Sequence, residues 1–186
     1  MRVILLGAPG SGKGTQAARL RQALGVPHIS TGEMLRQAVA EGSPLGREVE
    51  AVMARGELVS DELMLSLLEE RLSRPDVADG FILDGYPRNL AQCRALEGLL
   101  ARLGQTLDRA VLLEVPAELL IARLAGRAAQ EGRRDDSPEA VRQRLMVYET
   151  QTAPVVEHFA GQSRLRRVDG VGTVEEVFGR LVAALA

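Results

Sequence analysis

The chain has one lysine, one cysteine and no tryptophan, and aromatic residues make up only 3% of its 186 positions. Each scarcity excludes something. A lone cysteine, Cys93, can form neither an internal disulfide nor a cysteine zinc cluster. No run of about 18 apolar residues occurs, so no membrane span is expected. The net charge of -2 provides no broad basic field to gather nucleic acid or coat an anionic membrane. The apolar run in "MRVILLGAPG" is too short for the middle of a signal peptide plus its cleavage site, so it reads as a first strand. A cytosolic location is the expectation. What is present suits one α/β domain with small insertions: 46% hydrophobic content, enough for a core of Leu, Val, Ala and Ile. The sequence contains no internal repeat and no low-complexity segment.

Short apolar runs alternate with helical patterns. "RVILLG", "VPHIS", "GFILDG", "RAVLLEV" and the run inside "SRLRRVDG" read as five strands. Helices are expected from Lys13 to Leu24, from near Thr31 behind a capping-box spacing (Ser30 to Glu33), and from Ser43-Pro44 to Arg55 with a stop at Gly56. Further helices are expected behind Ser60, from about Asn89 to Leu103, after Pro116, and behind the capping box Thr173 to Glu176. Alternating strands and helices predict a three-layer α/β fold: a five-stranded, mostly parallel sheet with helices on both faces. Two segments break the alternation. Residues 30–59 hold two helices with no strand between them. Residues 126–136, "GRAAQEGRRDD", are polar and rich in arginine.

Of the 23 basic residues other than histidine, only Lys13 is lysine. It lies in "GAPGSGKGT", which matches the phosphate-loop pattern G-x-x-x-x-G-K-[ST] with Gly14 inserted before Thr15. A strand before and a helix after supply the required context. Glycines let successive backbone N–H groups turn toward phosphate oxygens, and the helix start adds partial positive charge. Lysine brings a compact charge on a flexible stem, where a planar guanidinium has no room. The motif indicates a nucleoside triphosphate without specifying the reaction.

Asp84 closes an apolar strand, where a carboxylate suits the water shell of Mg²⁺ beside a triphosphate. Arg88 follows within "DGYPRN", and Arg36, Arg123, Arg127, Arg133, Arg134, Arg142 and Arg144 complete an excess suited to binding phosphate through guanidinium forks. Arg123 and Arg127 share a helix face. No nucleophile and base stand out. His28, His158 and Cys93 lie in apolar contexts and read as packing residues. Transfer between two phosphates needs alignment, charge neutralisation and water exclusion more than acid–base chemistry.

These pieces together resemble the adenylate kinase family over essentially the whole chain. The matching segments are "GAPGSGKGTQ", "ISTGEMLR", "GELVSDEL", "FILDGYPRN" with Gln92, "RLAGR", "RRDD", "VRQRL" with "TAPV", and the "VDG" turn. The resemblance implies ATP + AMP ⇌ 2 ADP with Mg²⁺ carried by the triphosphate. It implies a P-loop core at 1–29, 60–125 and 137–186, a monophosphate-binding insert at 30–59 and a lid at 126–136. It implies an ATP cradle of Gly10, Ser11, Gly12, Lys13, Gly14 and Thr15, lid-side clamps Arg123 and Arg127, and Gly172 at the turn beside the ATP adenine. For AMP it implies Thr31, Arg36, Glu57, Leu58, Val59, Gly85, Tyr86, Pro87, Arg88 and Gln92, with Arg133 and Arg144 bridging toward the transferred phosphate. Lys13, Arg88, Arg123, Arg133 and Arg144 are the implied catalytic set. Asp84 and Thr15 would stand behind the waters of the metal, and Asp135 near the lid. The lid is short and contains no cysteine, so no zinc is expected. A monomer is the family expectation.

Two alternatives remain open at this point. A pyrimidine monophosphate kinase is disfavoured by Thr31 and Gln92, which the family uses against adenine. A non-catalytic ATP-binding switch would have no need for a complete monophosphate site.

Overall fold

Strand β1 (Arg2–Leu6) is apolar at consecutive positions, as expected of a strand buried on both faces. It is the central strand in a computed structural model that describes residues 1–42, 44–131 and 136–186. Around it lie β2 (His28–Ser30), β3 (Phe81–Asp84), β4 (Arg109–Glu114) and β5 (Leu165–Asp169), in the order β2-β3-β1-β4-β5. All pairings are parallel, so the expected five-stranded parallel sheet is present.

Alternation along β1 sorts the core onto two faces. Val3 and Leu5 pack with Ala17 and Leu20 of α1 (Lys13–Leu24) and with Val177, Leu181 and Leu185 of α9 (Val174–Leu185). Ile4 and Leu6 face the other way, in one cluster with Leu68 of α4 (Asp61–Leu72), Leu96 of α5 (Leu90–Arg102) and Phe159 of α8 (Ala153–Gly161). Phe81 is fully buried there; truncating it to alanine would cost about 3–5 kcal/mol.

Local signals place the helix starts. Ser30 caps α2 (Thr31–Ala40), Ser60 caps α4, Asn89 caps α5, and Thr173 with Glu176 closes a full capping box on α9. Helix α3 (Pro44–Ala54) follows α2 directly and ends one residue before the expected Arg55. Ser43, its expected cap, lies outside the described residues.

Helix α6 (Ala117–Glu131) carries helical structure through the first half of the 126–136 segment. Two helices were not expected from the sequence. They are α7 (Pro138–Val147), capped by Ser137, and α8, joined by a wide π-helical turn at Tyr148–Thr152. Ser137-Pro138 repeats the cap-then-proline signal of Ser43-Pro44, so that start was readable. Among the described residues no helix is long and apolar enough to cross a membrane.

Because β1 is central, β3 and β4 flank it and their connections diverge. In a doubly wound sheet this opens a crevice beyond the carboxyl ends of the strands. Leu5 is in register with Asp84, so the Asp84 carboxylate emerges beside the loop that leaves β1.

Candidate active site

The loop after β1 folds over the strand ends. Gly7 has φ +146°, and a Cβ there would stand 2.6 Å from Ser11 Oγ and 2.9 Å from Leu113 O, so no other residue fits. Gly12 caps α1 in the left-handed region and offers no side-chain cap. The first N–H groups of α1 therefore face the cleft with the dipole behind them, an arrangement suited to an anion.

Lys13 lies against the same loop. Its Nζ donates to Gly7 O at 2.8 Å and to Ala8 O at 3.1 Å, and it stands 3.5 Å from Ser11 Oγ. Burial pushes the ammonium down to about 8. Asp84 opposes that fall, while Arg88, Arg144 and Arg127 add to it.

Asp84 is buried at the end of β3. Burial alone would raise its carboxyl, but nearby His28, Lys13 and Arg88 outweigh that and hold it below the usual carboxylate range. His28 Nε2 stands 3.7 Å from Asp84 Oδ2, an electrostatic neighbour too distant for a hydrogen bond, and it finds no other partner among the described residues. Among those residues no three His, Cys, Asp or Glu side chains converge as a metal cage. An ionised carboxylate at the cleft wall fits a cation delivered by a nucleotide and its waters. Thr15 lines the same cleft.

Two compartments meet at this point. One is an open cleft that runs past the phosphate loop. Lys13, Arg36, Arg88, Arg123, Arg127 and Arg144 all line it, and at its far end lie Gly170, Gly172 and Thr173. Arg123 donates to Gly170 O at 3.2 Å, tying α6 to that end. The other is a smaller pocket under α2 and α3. Thr31, Arg36, Glu57, Leu58, Val59, Gly85, Tyr86, Arg88, Gln92 and Arg144 are in its wall. Pro87 lines an adjoining recess together with Lys13 and Arg88.

Within the smaller pocket, Gly85 has φ +84°, and a Cβ there would come within 2.6 Å of Thr31 Oγ1. Thr31 donates to Asp84 O at 3.3 Å. Arg88 is held at three points. Its Nε donates to Gly85 O at 2.8 Å, its backbone N to Gln92 Oε1 at 2.7 Å, and its carbonyl accepts from Thr152 Oγ1 at 2.8 Å. Gln92 Nε2 donates to Asp61 Oδ1 at 2.7 Å. Glu57 accepts from Arg55 at 2.8 Å at the surface.

Asp136 gathers arginines. Its side chain is 0% exposed, and it accepts from Arg127 Nε and Nη2 at 2.6 Å each and from Arg144 Nη1 at 2.7 Å. Arg127 of α6 and Arg144 of α7 are thus set from one carboxylate.

A sequence profile of the family described as adenylate kinase matches residues 5–164. The chain belongs to the adenylate kinase family. It is 60% identical over 185 residues to an adenylate kinase of Stenotrophomonas maltophilia (strain R551-3), covering 100% of this chain and 99% of that one. It is likewise 60% identical to one from Xanthomonas campestris pv. campestris (strain 8004), and 58% identical to one from Xanthomonas euvesicatoria pv. vesicatoria (strain 85-10), with the same coverage. The chain is accordingly a phosphotransferase of the P-loop α/β class.

The described positions of the adenylate kinase pattern come together around these two compartments. Arg133, Arg134 and Asp135 lie outside the described residues. Four residues of the site were not singled out from the sequence: Asp136, Thr152, Asp61 and, as a neighbour of Asp84, His28. Asp136 lies inside the quoted "RRDD", Thr152 opens "TAPV", and Asp61 lies inside "GELVSDEL", so each was within a recognised segment but had no role assigned in the site.

Proposed function

We propose that the large cleft binds ATP, the smaller pocket binds AMP, and the arginines between them transfer the terminal phosphoryl group. The reaction of this family is reversible: ATP + AMP ⇌ 2 ADP. One observation carries the assignment of sites: Arg36, Arg88 and Arg144 line both compartments. A cation that serves two anionic substrates at once belongs between them.

In this reading the phosphate loop, Gly10 to Thr15, holds the ATP phosphates through backbone N–H groups. Lys13 swings from the loop carbonyls to phosphate oxygens. Arg123 and Arg127 hold the donor side, and Gly172 leaves room beside its adenine. Thr31, Arg36, Glu57 to Val59, Gly85 to Arg88 and Gln92 hold AMP. Arg88 and Arg144, with Arg133, offset charge as it spreads over the moving phosphoryl group, whose acceptor is already an anion. The 30–59 insert and the 126–136 lid close over the nucleotides and exclude water. Mg²⁺, carried by the triphosphate, would supply charge neutralisation at the phosphates. Asp84 would order its waters, with Thr15 nearby. A monomer in the cytosol is the form we propose.

The test is ADP formation from ATP with AMP, CMP, UMP and GMP as acceptors, with and without Mg²⁺. AMP should be strongly preferred, and turnover should need the metal. A preference for CMP or UMP would overturn the AMP assignment. No ADP with any acceptor would leave a binding switch.

A further inference from the structure

The structure assigns to Asp61 the selection of adenine over bases with the opposite hydrogen-bonding edge. It would act by fixing which way round the Gln92 amide is held. This rests on the reading of Gln92 as the residue that meets the AMP base.

An amide side chain has two N–H donors on one end and a carbonyl with two lone pairs on the other. Turned over, it presents the mirror pattern. Gln92 cannot turn freely here. Its Oε1 accepts from the backbone N–H of Arg88 at 2.7 Å, a group that only donates. Its Nε2 donates to Asp61 Oδ1 at 2.7 Å, and an ionised carboxylate only accepts. Turning the amide over would set donor against donor at Arg88 and acceptor against acceptor at Asp61. Asn89 strengthens the constraint. Its Nδ2 donates to the same carboxylate, at 3.1 Å to Oδ1 and 3.4 Å to Oδ2, and its Oδ1 accepts from Gln92 N at 2.8 Å.

One N–H and one lone pair of the Gln92 amide remain, in a side chain that lines the base pocket. They match adenine, whose N1 accepts and whose 6-amino group donates. Hypoxanthine and guanine show the reverse, a donor at N1 and an acceptor at O6. They would need the other face of the amide. Asp61 itself stands at the exposed start of α4 and is not in the wall of the pocket, so it is a positioning residue for specificity.

The probe is IMP, which carries the reversed edge without the extra amino group of GMP. In Asp61→Asn the new amide can offer either an acceptor or a donor to Gln92, and in Asp61→Ser a hydroxyl can do the same. Either change removes one of the two mismatches that block the turn. The ratio of kcat/KM for IMP to that for AMP should rise about tenfold in both variants. Gln92→Leu is measured beside them. An unchanged ratio in Gln92→Leu would mean that Gln92 does not read the base, and the premise falls. A ratio that rises in Gln92→Leu but stays put in both Asp61 variants would overturn the orienting role alone. Equal losses with AMP and IMP, at constant ratio, would show that Asp61 merely joins the starts of α4 and α5, and would overturn it too.

Discussion

The hydroxyl of Thr152 donates to the main-chain carbonyl of Arg88 at 2.8 Å, across 64 positions of sequence. Thr152 closes the π-helical turn that follows α7, the helix carrying Arg144. Such a turn inserts an extra residue into the helical path and re-aims the side chains after it. Here it connects the helix of Arg144 to the backbone of Arg88, so the segments carrying two cleft-lining cations share one support. Thr152→Val keeps the shape and removes the donor. We expect kcat to fall about tenfold, with KM for ATP little changed. Thr152→Ser should recover most of the loss. Steady-state kinetics of the three proteins checks this. Equal kcat for valine and wild type would show that the bond does not position Arg88.

Lys13→Arg should lose most activity while the fold remains. The Lys13 Nζ lies 2.8 Å from Gly7 O, a contact that a planar guanidinium fork would have to displace. Turnover should drop by about two orders of magnitude or more, as for loss of one strong transition-state donor. Circular dichroism and melting should match wild type. Near-normal turnover would refute the steric reason for a lone lysine.

The depressed Lys13 ammonium has two consequences with pH. In the free enzyme it loses its proton around pH 8, so kcat/KM for ATP should decline above that value. Bound phosphates favour the charged form, so kcat should hold to higher pH. For stability the sign is opposite. The unfolded chain keeps this proton up to lysine's ordinary 10.5 and the folded chain only to about 8. Between those values the unfolded state binds more protons, so this group makes the fold more stable as pH rises. Urea unfolding at several pH values, compared with Lys13→Met, isolates that contribution. Identical pH slopes for the two proteins would contradict it.

Asp136→Asn should unfold more easily and turn over more slowly. The substitution keeps shape but leaves Arg127 and Arg144, 25% and 15% exposed, without the charge that gathers them. Breaking a pair whose acid is buried costs about 3 kcal/mol. Urea midpoints give the stability change, and KM for ATP should rise as Arg127 loses its orientation. A variant as stable as wild type would show that the carboxylate is not the hub.

A compound joining two adenosines through about five phosphates would meet the cations of both compartments at once. It occupies both sites with a single loss of translational freedom, so it should bind far more tightly than either substrate. It should compete with ATP and with AMP. At about 1,000 times its Kd it should stabilise the fold by roughly 4 kcal/mol. Hydrogen exchange in α2 and α3 should slow more than in the sheet. Competition with ATP alone would refute the two-site arrangement.

Whatever depends on neighbours in the chain was decided by the sequence itself. The phosphate loop needs glycines, a lysine and a helix start within ten residues, and caps at Ser30, Ser60, Asn89 and Thr173 act over three. Alternating apolar runs required the sheet and its two covered faces. Only the tertiary structure decided that β1 lies between β3 and β4, because strand order rests on pairings between distant segments. The same holds for the polar contacts that aim the site. Asp61 reaches Gln92 across 31 positions and Thr152 reaches Arg88 across 64. Asp136 meets Arg127 and Arg144 only because α6 and α7 bring both guanidinium groups to its carboxylate. A polar side chain in sequence shows what it can donate or accept; its partner is selected by packing, where an unmatched buried group would cost more than the bond contributes.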